Sequence, residues 1–185
     1  MRIQFEKASD LFLAFPTLES DMVAKPSDVG VLDYMDNLLA GETPEDAMTF
    51  FSYLAPKREA VWWACRCIRL LNKDAGLQPS VALAETWVRT PEEEHRRAAL
   101  DHAEAADSGV SQTWAAYGAG WSGGNIAPDG SPPILASPQL TAKAVRAAVL
   151  IAIAEDAPQT RADRLKRCYE EAMRLAHDDS EAELG

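Results

Sequence analysis

Apolar residues recur at helical spacing along most of the chain, and the most apolar such stretch is residues 56–73. At about 100° per residue, Val61, Ala64 and Ile68 fall on one face of this predicted helix. Cys65 and Leu71 lie on the same face, and Trp63, Cys67 and Leu70 widen it until most of the circumference is apolar. A helix of this kind belongs at the centre of a helical bundle. The remaining arc is largely polar and contains Arg58, Glu59, Trp62, Arg66, Arg69 and Lys73.

Capping residues, prolines and glycines divide the rest of the chain into further helices. A second strongly apolar helix is predicted from Leu140 to Ala154. Other helix starts are predicted at Ser27-Asp28, Thr43-Pro44, Pro79, Thr90-Pro91 and Pro158, with another helix after Gly109. The pattern predicts an all-α protein in which residues 1–185 form a single-domain bundle of about seven to eight helices.

Three segments fall outside this helical pattern. The N-terminal arm, residues 1–26, begins with an alternation typical of extended chain and continues with a short apolar helix capped by Ser9-Asp10. Leu11, Phe12, Leu13 and Phe15 are expected to lie against the bundle. Residues 118–138 contain five Gly and four Pro, a density that predicts a long irregular loop. The acidic tail, residues 178–185, is expected to be frayed.

Charge and cysteine content narrow the classes of function. The formal net charge of −11 argues against a nucleic-acid partner, which needs clustered Lys and Arg. No segment is long and apolar enough to span a membrane, and no signal peptide is recognised. Three cysteines, an odd number, are most simply free thiols in a reducing compartment. We therefore expect a cytoplasmic protein with neither a nucleic-acid nor a membrane partner.

Few residues of the sequence are candidates for catalysis or for metal binding. His95 and His102 could share a helical face, but no metal-binding motif contains them. Cys65 and Cys67 are explained as core residues, although a Cys/His nucleophile pair stays open. No phosphate-binding, dinucleotide-binding or serine-hydrolase motif is present. We expect neither a metal, a cofactor nor catalytic residues.

The first candidate protein-binding group is Trp62 with Arg58, Arg66 and Arg69. A Trp surrounded by arginines is a composition frequent in interaction hot spots, where guanidinium groups stack on the indole. Two interpretations are open. In one, Trp62 is exposed and binds a partner. In the other, Trp62 packs beneath the N-terminal arm or the Gly/Pro loop, and the arginines pair with carboxylates of this chain.

The second candidate group lies at the start of the Gly/Pro loop, where Trp121, Ser122 and Asn125 are the predicted binding residues. A long loop in a compact protein is commonly functional, so one interpretation is a binding lid. The other interpretation is a strap across one end of the bundle. The apolar anchors of such a strap would be Trp121, Ile126, Ile134 and Leu135.

The motifs P-K-R-E-A-V-W-W-A-C and W-S-G-G-N-I-A-P, together with the entry into the Leu140 helix, resemble an uncharacterised family of small bacterial helical proteins. The resemblance covers roughly residues 45–155. Genes of that family often lie near type VI secretion components, which implies a non-enzymatic adaptor or chaperone. Its partner would be a secreted effector or a secretion component. Two alternatives are an immunity protein that neutralises a toxin and an enzyme with an unrecognised site.

Overall fold

The computed structural model of the protein describes residues 1–128 and 130–177. These residues form an all-α structure with eleven α-helices, a 3-10 turn at Pro158–Thr160 and isolated β-bridges only. The predicted frayed tail, 178–185, lies outside the described residues. The helices are α1 (Ala8–Ala14), α2 (Leu18–Asp21), α3 (Val31–Ala40), α4 (Glu45–Leu54), α5 (Lys57–Leu71), α6 (Lys73–Gly76), α7 (Pro79–Arg89), α8 (Glu93–Ala105), α9 (Ser111–Gly120), α10 (Leu140–Ala154) and α11 (Arg161–His177).

The predicted fold class is confirmed, but the predicted number of helices, seven to eight, is wrong. Two of the eleven helices, α2 and α6, have only four residues each and were not predicted. Such helices make about one turn, so a hydrophobic repeat of 3.6 residues has too little length to be recognised. Whether residues 1–185 form a single domain stays a prediction.

Helix α5 occupies the position that its apolar circumference predicts, and it packs against α7, α9, α10 and α11. Val61, Trp63 and Ile68 are buried on this helix. The indole N–H of Trp63 donates to the carbonyl oxygen of Cys168 on α11 at 3.1 Å. Helix α10 is the second buried helix, as predicted, and it packs against α4, α5 and α9. One contiguous apolar cluster therefore links the helices from α1 to α11.

Helix α9 continues three residues into the segment predicted as a loop. The predicted loop began at residue 118, but Gly118 and Gly120 are both helical. A Cβ atom added at Gly120 would lie 2.7 Å from the Cβ of Leu100 on α8. One added at Gly118 would lie 3.2 Å from Val61 and 3.3 Å from Val145. These two glycines therefore permit close approach between helices, and the irregular loop is residues 121–139, between α9 and α10.

The N-terminal arm lies against the bundle as predicted, with corrections in detail. Leu11 is buried, but Leu13 points to solvent. Ser27 and Asp28 do not cap α3, which begins after Gly30. Instead the carbonyl of Ser27 accepts from the amide of Ser9 at 2.9 Å, and the Asp28 carboxylate accepts from the Ser9 hydroxyl at 2.6 Å. The predicted cap residues of one helix therefore stabilise the start of another.

None of the helices in the described ranges has both the length and the apolar run needed to cross a lipid bilayer.

Candidate functional site

The polar arc of α5 forms the first candidate site, which we call the Trp62 surface (Arg58, Trp62, Arg66 and Arg69). Arg66 donates two hydrogen bonds to one carboxylate oxygen of Glu171 on α11, at 2.8 and 2.7 Å. Arg69 forms a two-pronged pair with Glu85 on α7, at 2.6 and 2.9 Å. Both arginines thus join α5 to a neighbouring helix through carboxylates of this chain, as the second interpretation expected.

Trp62 itself is half-buried and packs against the core. The guanidinium carbon of Arg66 lies 5.7 Å from the centre of its ring, within cation–π range. The indole Nε1 is buried and has no hydrogen-bond partner among the described residues. Arg58 donates to the backbone carbonyls of Val88 and Arg89 at the end of α7. The role of the four residues in binding a partner stays a prediction.

Glu171 is the carboxylate that binds Arg66 of the Trp62 surface and also Arg174. Burial alone would raise the pKa of its carboxyl group, but hydrogen bonds from Arg174 and Arg66 lower that pKa below its ordinary value. Arg174 contacts both carboxylate oxygens, at 2.8 and 3.0 Å. Glu171 therefore stays ionised at neutral pH, and it binds the guanidinium groups of Arg66, which lies against the Trp62 ring, and of Arg174.

The second candidate site is the loop between α9 and α10, and its base is fixed by a buried arginine. The guanidinium of Arg96 on α8 donates to the carbonyl of Gly120, where α9 ends, and to the carbonyl of Asn125 at 2.9 Å. The same group pairs with Glu93, one turn earlier on α8, at 2.6 and 2.7 Å. Arg96 thereby holds the two ends of the W-S-G-G-N segment against α8.

Asn125 organises the loop into a hairpin. Its side-chain oxygen accepts from the amides of Ala127 and Ile134, at 3.0 and 2.8 Å. The amide of Ile126 donates to the carbonyl of Ile134 at 2.8 Å, and the amide of Ala136 donates to Gly124 at 3.0 Å. Gly124 has φ of +62°, a conformation that favours glycine. We call residues 121–139 the hairpin loop and its exposed segment, residues 131–135, the tip, although Ile134 and Leu135 at the end of that segment already pair with Ile126 and Asn125.

The hairpin loop combines features of the two predicted alternatives. Its base is held as a strap would be, and the ammonium group of Lys57 also donates to the carbonyl of Ser122 at 2.7 Å. Its tip is not an anchor: Ile134 is 58% exposed and Leu135 is 77% exposed. The expectation that these two residues anchor a strap is wrong, because the pairing with Asn125 and Gly124 turns them outward. Trp121 and Ile126 are half-buried.

An aromatic row on α9 continues into the hairpin loop, and the sequence interpretation missed it. The rings of Tyr117 and Trp121 are 4.5 Å apart, and Trp114 lies 5.5 Å from Tyr117. All three side chains are half-buried. The signal was their spacing of three and four residues, which places them on one helical face. That spacing was hidden because residues 118–120 were assigned to the loop.

The three cysteines do not present a nucleophile. Cys65, Cys67 and Cys168 are all fully buried and free. Burial raises the pKa of Cys65, and the pKa of Cys67 is raised by burial and by its contact with Cys168. A reactive cysteine needs a stabilised thiolate. These environments favour the neutral thiol, so the cysteines pack as small apolar side chains.

The two histidines on α8 serve contacts between helices. A ring nitrogen of His95 lies 2.9 Å from the carbonyl oxygen of Thr90, and Nε2 of His102 lies 2.9 Å from the hydroxyl of Ser80 on α7. In the described part of the chain, no carboxylate hydrogen bonds to His102, so the third member of a hydrolase triad has no counterpart there. Across residues 1–128 and 130–177, no cluster of three His, Cys, Asp or Glu could hold a metal ion.

Together these features define an all-α protein with two prominent surface sites, the Trp62 surface and the hairpin loop with its aromatic row. Residues 34–176 match a family described as a family of unknown function, DUF6931, and the chain belongs to that family. The matched region includes α4 to α10 and both sites. No curated protein and no solved structure is similar enough to be matched to this chain.

Proposed function

We propose that this protein is a non-enzymatic protein-binding factor whose partner docks on the hairpin loop. The observation that carries the proposal is an exposed apolar tip on a rigidly held base. Ile134 and Leu135 follow two exposed prolines, while Arg96 and Asn125 fix the backbone on either side. A preorganised apolar contact loses little conformational entropy when it binds.

The Trp62 surface is a second contact region in this proposal. Its indole ring and its arginines have the composition enriched at interaction hot spots. The arginines are held by Glu171 and Glu85 and are still one-third or more exposed at their side chains. A partner that approaches this surface would therefore meet cations already fixed in place, a favourable situation for an acidic or carbonyl-rich segment.

We propose further that the partner belongs to a type VI secretion system, with this protein acting as adaptor or chaperone in the cytoplasm. The support is the resemblance of the W-W-A-C and W-S-G-G segments to a family whose genes lie near such systems. An immunity protein that neutralises a toxin is the second candidate. The net charge of −11 favours it, since an acidic protein complements a basic toxin.

An enzymatic role is supported less than protein binding, because the three thiols are buried. The test of that role is a thiol-labelling experiment under native conditions with a small maleimide. We expect Cys65, Cys67 and Cys168 to remain unlabelled in the folded protein and to be labelled completely in denaturant. Fast labelling of one cysteine in the folded protein would favour an enzyme instead.

The test of protein binding is a photo-crosslinking amino acid placed at position 135 in the native bacterium. The matched control position is Leu77, which is 74% exposed and lies far along the chain from the hairpin loop. We expect a specific adduct from position 135 and none from position 77. Mass spectrometry of the adduct then separates the candidates: a secretion component or effector indicates an adaptor, and a single toxin indicates an immunity protein.

The accompanying variant is Ile134→Ser with Leu135→Ser. Because both side chains face solvent, the melting temperature should stay within about 2 °C of the parent. Partner capture should fall at least about tenfold, whereas Leu77→Ser should retain it. A double variant that captures the partner as well as the parent does would remove the tip from the binding surface.

A further inference from the structure

A cavity of about 130 Å³ lies where the N-terminal arm, the junction of α4 with α5 and the start of α10 meet. Its size corresponds to roughly four water molecules at about 30 Å³ each. The cavity adjoins the hairpin loop through Pro138 and Lys57, but it lies apart from the exposed Ile134 and Leu135. Its walls are formed by Gln4, Phe5, Phe15, Ser52, Tyr53, Leu54, Ala55, Pro56, Lys57, Pro138, Thr141 and Ala142.

The charge of this wall is opposite to that of the molecule. The chain has 29 acidic residues against 18 Lys and Arg, yet among the residues that the structure describes no carboxylate lines the cavity and Lys57 is the one charged side chain that does. The ammonium group of Lys57 has three N–H donors, and one of them bonds to the carbonyl of Ser122. Burial lowers the pKa of Lys57, which an anion nearby would counteract.

The start of α10 adds donors at the same wall. Gln139, the residue that precedes α10, makes no side-chain cap, and the amides of Thr141 and Ala142 belong to the first turn, where no acceptor lies within the helix. The helix dipole also favours negative charge at this end of a fifteen-residue helix.

A buried polar side chain on the wall lacks a partner. Thr141 is 1% exposed, and its hydroxyl has no hydrogen-bond partner among the described residues. Buried hydroxyl groups in native proteins are nearly always bonded to protein or to ordered water. This observation is independent of the helix terminus and of Lys57, and it leaves a hydroxyl group that can donate to a molecule bound at the same place.

We propose that this cavity binds a small organic carboxylate. The carboxylate group takes the position beside Lys57 and the first turn of α10, and the apolar body of the ligand packs against Phe5, Phe15 and Leu54. The mixture of polar and apolar residues on the wall indicates the class of ligand. An inorganic anion would make no use of the apolar residues, and a neutral apolar molecule would leave the hydrogen-bond donors unpaired. The N-terminal arm forms part of the wall, so the ligand also fastens the arm to the bundle.

Benzoate and butyrate are the probes, each compared with its neutral analogue, benzyl alcohol or 1-butanol, and with inorganic phosphate. We expect saturable binding of at least one carboxylate by calorimetry, at least tenfold tighter than its alcohol and tighter than phosphate. In a ¹⁵N-labelled sample, the carboxylate should shift the amide signals of Thr141, Ala142 and Phe5. Equal affinity for acid and alcohol, tighter binding of phosphate, or no shift at these amides would each overturn the proposal.

The variant Lys57→Met keeps the length of the side chain and removes its charge. We expect it to weaken carboxylate binding at least tenfold and to leave binding of the alcohol unchanged. Lys25→Met, at an exposed lysine outside the cavity wall, is the matched control and should bind like the parent. If Lys57→Met does not fold, the comparison of acid with alcohol and the amide shifts still decide, because both use the unaltered chain.

Discussion

The hairpin-loop base and the Trp62 surface both depend on arginines, but the two regions use them differently. At the loop base, Arg96 is buried and its guanidinium donates to two backbone carbonyls, those of Gly120 and Asn125. On the Trp62 surface, Arg66 and Arg69 are partly exposed and bond to carboxylates. Arg96 supplies hydrogen bonds to backbone carbonyls that regular secondary structure would otherwise supply. Arg66 and Arg69 instead link α5 to α11 and to α7 through side chains.

This difference separates arginines that hold the fold together from arginines that can also bind a partner. A buried group that bonds to backbone carbonyls cannot turn toward a partner without leaving those carbonyls unpaired. A surface arginine in an ion pair contributes little to stability and can exchange one acceptor for another at small cost. The loop base should therefore respond to substitution mainly through stability, and Arg66 on the Trp62 surface mainly through binding.

The largest expected effect comes from making the same substitution in both regions. Arg96→Met should lower the free energy of unfolding by about 3 kcal/mol, because the carbonyls of Gly120 and Asn125 lose a buried donor. Arg66→Met should lower it by less than about 1 kcal/mol, since Glu171 keeps its bonds to Arg174. Urea denaturation measures both. Equal losses would remove the distinction between the regions.

The close packing beneath the loop base gives the next effect. Gly120→Ala would place a Cβ atom 2.7 Å from the Cβ and 2.8 Å from the Cα of Leu100, and backbone cannot move aside as a flexible side chain can. We expect a loss of about 2 kcal/mol by thermal or urea denaturation. Gly123→Ala is the control, because a Cβ there would meet nothing within 4 Å. A tolerated Gly120→Ala would mean that α8 and α9 are not held as closely as described.

A third substitution tests the ion pair of Arg69. Arg69→Met leaves the largely buried carboxylate of Glu85 without its cation, which should cost about 1–2 kcal/mol. The double variant Arg69→Met with Glu85→Met removes both charges and should recover most of that loss. Denaturation of the parent, both single variants and the double variant forms a complete cycle. Failure to recover would show that Glu85 has a further structural role.

The smallest effect is the pH dependence of the Glu171 network. The pKa of Glu171 is lower in the folded protein than its ordinary value of 4.5, so its ionised form stabilises the fold above that pH. Protonation as the pH falls through the folded-state pKa removes this stabilisation, which we place below about 1 kcal/mol. The stability difference between the parent and Glu171→Gln should thus shrink from pH 6 toward about pH 3. A difference that grew on acidification would contradict this sign.

Much of the fold was predictable because burial repeats along a helix. The apolar circumference of α5 and of α10 identified the two central helices, and Pro and Gly marked most of the connections. The short helices α2 and α6 were not predicted, since four residues carry no repeat. The end of α9 was misplaced because Gly118 and Gly120 look the same in sequence whether they break a helix or allow another helix to approach.

The sites were less predictable than the fold. The residues of the Trp62 surface were identified on α5, but their partners Glu85 and Glu171 lie on other helices, and no spacing along the chain reveals such pairs. Arg96 was overlooked for the same reason: on α8 it looks like one charged residue among many. Its importance arises from carbonyls 24 and 29 residues away, which only the folded chain brings together.

Lys57 lies at the start of α5 and faces two neighbourhoods, the cavity wall and the carbonyl of Ser122 in the hairpin loop. Its three N–H donors can serve both places at once, and a partner that moves the loop away would free one more donor for the cavity. By linkage, occupancy at one place must then alter affinity at the other by the same factor. A single lysine would thus make occupancy of the cavity and partner binding at the hairpin loop thermodynamically dependent on each other.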